Sequence, residues 1–150
     1  MKLTDEVRHA CLDEGMDYCA PIRSKARAKA IAEVFTPTAL VLEMLEAVSD
    51  TVWEEGKTFL EPCFGRGNFL APILIIKMSL GHQNPLKDIY GIELMQDNVD
   101  DTKQRLIDIA GDTLENWETI NWNLRCADFL TFDINDFDRP LNIRQAVASK

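Results

Sequence analysis

The sequence predicts an α/β fold: a partial parallel sheet with flanking helices, preceded by a helical N-terminal extension. Three observations carry this reading. Short apolar runs at 58–60, 89–93 and 124–128 have strand length, and stretches of helical periodicity separate them. The first run passes into a helix through Glu61-Pro62-Cys63-Phe64-Gly65-Arg66-Gly67-Asn68, a strand, tight turn and helix in succession. Each run also ends at or beside a carboxylate, namely Glu61, Glu93 and Asp128.

The extension takes residues 1–33 and the sheet-forming domain residues 34–150. Thr4, followed by Asp5 and Glu6, starts a helix that sets Val7, Ala10 and Cys11 on one face and stops at Gly15. Arg23, Lys25, Arg27 and Lys29 then alternate with small residues in the one basic cluster of the chain. That cluster reads either as a solvated helix face or as a segment that contacts phosphate or caps a ligand. Phe35-Thr36-Pro37-Thr38 leads into a helix continuing over 39–45, with Pro37 suited to the first turn.

In the central turn, Gly65 and Gly67 allow a positive φ or a close approach of backbone to ligand, while the free N–H groups of the next helix face the same space. Residues 69–80 make a crossover helix in which Pro72 falls within the first turn, and Gly81 closes it. His82 is expected as an exposed loop residue and His9 on a helix surface. The second strand, 89–93, ends in Glu93, 26 residues beyond Gly67; an acid there can accept hydrogen bonds from both hydroxyls of a ribose. Residues 96–110 form a helix with an acidic outer side and Val99, Leu106, Ile107 and Ala110 for packing. Trp117, Ile120 and Trp122 are expected in an aromatic connection to the third strand, which ends at Asp128.

At 150 residues and 46% hydrophobic content, the chain is long and apolar enough for a core. A net charge of −9 and a pI near 4.7 weigh against autonomous nucleic-acid binding, which draws its affinity from Lys and Arg on phosphates. Cys11, Cys19, Cys63 and Cys126 form no CxxC pair, so mostly buried, reduced thiols are expected. The charged N-terminus lacks an apolar signal core, and the longest apolar run is about half a membrane span. A soluble cytoplasmic protein without membrane contact is the expectation.

Residues 61–69, Glu-Pro-Cys-Phe-Gly-Arg-Gly-Asn-Phe, resemble the first motif of S-adenosylmethionine-dependent DNA methyltransferases acting on adenine N6. Val34-Phe35-Thr36-Pro37 resembles the Phe-Thr-Pro motif upstream of that glycine loop. Tyr90-Gly91-Ile92-Glu93, with Leu94, resembles the strand ending in an acid, and Ala127-Asp128-Phe129 the third cofactor-contacting motif. These matches span roughly residues 30–130. The resemblance implies a Rossmann-like methyltransferase fold and S-adenosylmethionine as cofactor. It implies cofactor contacts from Phe35, Thr36, Pro37, Glu61, Pro62, Gly65, Gly67, Phe69, Glu93, Leu94, Asp128 and Phe129, with the Thr-Pro segment over the methionine end and Asp128 at the adenine amino group.

The family's Asp/Asn-Pro-Pro-Tyr/Phe tetrapeptide, which holds the flipped target base, has no counterpart in Ile134-Asn135-Asp136-Phe137-Asp138-Arg139-Pro140-Leu141-Asn142. Phe137-Asp138 resembles the start of the strand that would carry it. No catalytic residue is therefore assigned, and a truncated, split or silent cofactor-binding half is expected. It would associate with itself or with a second chain that completes the sheet, and reach DNA weakly or through that partner. The alternative is a regulatory or decoy protein that keeps the nucleoside pocket and acts by binding another protein. A dinucleotide-dependent enzyme is disfavoured because Leu70 occupies the position of the third fingerprint glycine.

Overall fold

The computed structural model describes residues 1–31 and 33–137. Strands β1 (Phe59–Glu61), β2 (Ile89–Glu93) and β3 (Leu124–Cys126) form a parallel sheet in the order β1-β2-β3, with Phe59 opposite Ile89 and Gly91 opposite Leu124. The described helices are α1 (Asp5–Gly15), α2 (Lys25–Ile31), α3 (Thr38–Ala47), α4 (Leu70–Ser79), α5 (Gln96–Ala110) and α6 (Leu114–Asn123). None of them is long and apolar enough to cross a membrane.

Helix α4 is the crossover between β1 and β2 and is apolar on nearly every side. Leu70, Ala71, Ile73, Leu74 and Ile76 are all buried, as befits a helix wrapped by α1, α3 and α5. Each such Leu or Ile contributes roughly 1.5–3 kcal/mol relative to exposure. Pro72 sits at the third helical position, where its missing N–H has no partner to lose. Helix α5 packs against β2 and β3: Val99, Leu106 and Ile107 enter the core while Asp97, Asp100, Asp101 and Asp108 stay outside. The N-terminal helix α1 packs on α3 and α4.

Several local expectations are corrected. Residues 114–123 form helix α6 and not a connection, because the Thr113 side chain accepts the Asn116 N–H at 3.1 Å and starts the helix. Ile120 then enters the core with Trp117 packed beside it, while Trp122 turns to the other side under the Arg125 guanidinium, 4.3 Å from its ring centroid. Strand β3 stops at Cys126, two residues before Asp128. Phe137 closes a 3-10 turn (Ile134–Phe137) instead of opening a fourth strand, and its ring meets Tyr90 edge-on at 5.1 Å. The rest of that expected strand, from Asp138 on, lies outside the described residues. Of the four thiols only Cys11 is buried; Cys19, Cys63 and Cys126 are exposed. His82 is half-buried, with Nδ1 3.4 Å from the ammonium of the fully buried Lys77, which also donates to Lys57 O at 2.9 Å and Asp88 Oδ2 at 2.8 Å.

A second buried cation lies on the inner face of α5. Arg105 is 1% exposed, and its Nε and Nη2 donate to the two oxygens of Glu14 at 2.6 and 2.7 Å. Its Nη1 donates to Arg66 O at 2.7 Å and Asn68 Oδ1 at 2.8 Å, and Tyr18 covers the guanidinium at 3.8 Å. This fork satisfies a desolvated charge and joins α1, α5 and the glycine loop at one point. Removing one partner of such a pair strands the other charge. Arg105→Ala is expected to lower the unfolding free energy by about 3–5 kcal/mol in urea denaturation.

Candidate functional site

A cleft of about 350 Å³ opens at the carboxyl ends of β1 and β2. Its floor is the loop joining β1 to α4, its far wall the end of β2, and its near wall the segment between α2 and α3. The loop's form follows from its two glycines. Gly65 has φ +54° and a Cβ there would stand 3.0 Å from the Phe35 ring; Gly67 has φ +75° and a Cβ would meet Thr102 Cγ2 at 2.7 Å. Gly65 therefore lets Phe35 lie on the loop from the cleft side, while Gly67 lets α5 close on it from beneath. Thr102 Oγ1 completes that lower contact by donating to Gly65 O at 3.2 Å.

Glu93 joins the loop to β2. Its Oε2 accepts the Gly65 N–H at 2.8 Å and its Oε1 the Met95 N–H at 2.9 Å, which leaves each oxygen a further lone pair. Glu61, at the end of β1, has no such pair of donors. Burial raises its pKa above 4.5, opposed in part by the Cys63 backbone N–H. Although Cys63 is exposed, partial desolvation in the cleft raises the pKa of its thiol, reinforced by the charges of Glu93, Glu61 and Asp128, so this cleft cysteine is a poor thiolate.

Asn68 carries the arrangement across to the near wall. Its Oδ1 accepts from Arg105, and its Nδ2 donates to Thr36 O at 2.9 Å. The basic segment is held against the start of α5: Arg23 donates to Asn98 Oδ1 at 2.7 Å and pairs with Asp101, while Arg27 pairs with Asp97 and with Glu33 at 2.6 Å. The Asp97 pKa is lowered, first of all by its hydrogen bond from Arg27. Both arginines are thus spent on internal carboxylates, which accounts for them as the strap along the cleft. Lys25 and Lys29 remain exposed.

Of the residues singled out from sequence, Phe35, Thr36, Glu61, Gly65, Phe69, Glu93 and Leu94 line the cleft. Pro62 and Gly67 shape the loop without lining it, and Pro37 is exposed at the start of α3. Asp128 is exposed and its carboxylate accepts the Leu130 N–H at 3.0 Å, so it caps a turn; Phe129 beside it is also exposed. The lining further includes Ile31, Glu33, Cys63, Phe64, Asn68 and Asn98, none foreseen as site residues. Only the asparagines and Glu33 are polar enough to matter for recognition, and no spacing marked them.

The cleft combines three carboxylates with aromatic and aliphatic walls, and its lining contains no Lys or Arg among the described residues. It suits a ligand with hydroxyl donors, a flat apolar ring and positive charge, and it opposes a pyrophosphate. No protein-family model, curated protein or solved structure matches the chain.

Two predictions test this geometry. Gly67→Ala is expected to cost about 1–2 kcal/mol from its left-handed backbone alone, plus the overlap with Thr102. Adding Thr102→Ser removes the Cγ2 and should recover the second part only, as read from urea denaturation of the single and double variants. For Glu61, the folded state holds the proton to higher pH than the unfolded state, whose pKa is near 4.5. Wild-type stability should therefore fall relative to Glu61→Gln as pH rises from 4.5 through the folded pKa, and run parallel above it, measured by melting temperature across pH.

Proposed function

We propose that the chain is a cofactor-binding domain for S-adenosylmethionine, of the Rossmann-like kind found in adenine-specific DNA methyltransferases. One observation carries the reading: Glu61 and Glu93, ending adjacent parallel strands, flank a Gly65-Arg66-Gly67 loop in a cleft with apolar walls and no lining cation. A sulfonium nucleoside carries the ribose hydroxyls, the flat base and the positive charge that such a cleft accepts. A dinucleotide brings phosphates that would face three carboxylates and no Lys or Arg among the described lining residues, and Leu70, fully buried, belongs to the core of α4. Strand order β1-β2-β3 also agrees with one half of a doubly wound sheet, in which ligands bind beyond the carboxyl ends of the strands.

On this reading Glu93 is ready for the ribose hydroxyls, since two backbone N–H groups already fix its carboxylate and its remaining lone pairs are free. Phe35 and Thr36 would border the reactive tail. Methyl transfer to adenine is not assigned to these residues, because the sequence has no Pro-Pro-aromatic tetrapeptide to hold the base. The outer edge of β1 is unpaired among the described residues and Leu60 on it is 38% exposed, which supports a further strand from a second chain or copy.

The reading predicts that S-adenosylmethionine, at about 100 times its dissociation constant, raises the unfolding free energy by roughly 2.7 kcal/mol, while NAD leaves it unchanged. Glu93→Gln should reduce that gain. A melting temperature indifferent to S-adenosylmethionine would sink the assignment.

A further inference from the structure

The near wall of the cleft contains a carboxylate with one oxygen left over. Glu33 lines the cleft, and its side chain is only 7% exposed. Oε1 accepts from Arg27 Nη2 at 2.6 Å and from Asn98 Nδ2 at 2.7 Å. Oε2 is buried and has no hydrogen-bond partner among the described residues. A carboxylate oxygen taken out of water and given no donor is an unfavourable arrangement unless something arrives to complete it.

The charge around Glu33 points the same way. The strap-and-helix cluster comprises the carboxylates of Glu33, Asp97 and Asp101 against the guanidiniums of Arg23 and Arg27. One negative charge is unmatched. Arg27 Nε–H is also buried without a partner among the described residues, but Arg27 is not among the residues that line the cleft, so a ligand there meets the carboxylate and not the guanidinium.

We propose that Glu33 recognises a primary ammonium group on the cleft's ligand, accepting its N–H at Oε2 and balancing the odd carboxylate. The identification of that ammonium rests on the S-adenosylmethionine reading. In that molecule the sulfonium is a cation without a hydrogen to donate, whereas the amino-acid tail carries, beside its carboxylate, an ammonium with three. The amino group on the base can donate, but it is neutral and leaves the charge unmatched. Glu33 thus selects ligands that keep the tail's amine.

The test is calorimetric titration with S-adenosylhomocysteine and with its des-amino analogue, for wild type and for Glu33→Gln. Wild type should bind the amine-bearing compound about tenfold or more tighter, the ratio expected of a hydrogen bond to a charged group. In Glu33→Gln that ratio should collapse towards one, while affinity for the des-amino compound stays within about twofold. If wild type binds both compounds equally, Glu33 has no such role and the cofactor reading stands. A ratio that persists in Glu33→Gln overturns the inference in the same way. If wild type binds neither compound, it is the cofactor reading that fails, and this inference falls with it. Should Glu33→Gln not fold, Glu33→Asp, which withdraws the carboxylate by one methylene, takes its place: a lowered ratio supports the inference and an unchanged ratio overturns it.

Discussion

The arrangement of the cleft depends on a charge placed where water does not reach. The Arg105 guanidinium sits on the core side of α5, and the favourable way to hold it there is to give its N–H groups acceptors. Glu14 supplies acceptors for two of its five N–H groups from the end of α1, and the glycine loop supplies two more through Arg66 O and Asn68 Oδ1. Three segments far apart in sequence must therefore arrive together. Because the loop carbonyl and the Asn68 side chain are fixed from below, the Asn68 amide is oriented to reach Thr36 O on the near wall of the cleft. One buried cation in this way sets the distance between floor and near wall.

Glu93 does the corresponding work at the far wall. A strand-end acid with empty surroundings would be mobile and hydrated, and a ligand would have to order it. Here two backbone N–H groups hold both oxygens, so the carboxylate orientation is part of the fold. The same two bonds fix the turn at Gly65 against β2. Structure and recognition are therefore not separable at this residue, whereas at Glu61 they are: its carboxylate is half-buried with a single backbone donor acting on it.

What the sequence could reveal follows from whether a residue's role is local. The glycine turn, the strand-end acids Glu61 and Glu93, and the Phe35-Thr36 segment were legible because short-range pattern fixes their backbone. Helix α4 was legible because an unbroken apolar run between two strands has few other solutions. Arg105 was not: on α5 it reads as another charged residue among many, and its burial depends on Glu14, 91 positions away. Glu33 and Asn98 were hidden for the same reason, with a separation of 65. Asp128 misled in the opposite direction. An acid after a strand and an acid capping the turn that follows look alike in sequence, and the bond to Leu130 N shows it to be the second. Helix α6 was missed because two tryptophans with one isoleucine resemble an aromatic linker until Thr113 is seen to cap them.

The basic strap and the acidic whole are one electrostatic problem. In a chain of net charge −9, four cations close together look like a landing place for phosphate, but two of them, Arg23 and Arg27, are engaged by carboxylates of the chain itself, while Lys25 and Lys29 stay exposed. Arg23 and Arg27 face Asp97, Asp101 and Glu33 and so bind the protein to itself; their field is cancelled within a few ångströms. What remains at the cleft is an excess of carboxylate, attractive to a small cationic nucleoside and repulsive to a polyanion. On the proposed reading, cofactor and nucleic acid therefore cannot be served by the same surface of this domain. On that reading, cations that would hold DNA against the cleft are to be sought among residues beyond those described here or on a second chain, since the strap's arginines are already engaged by Asp97, Asp101 and Glu33.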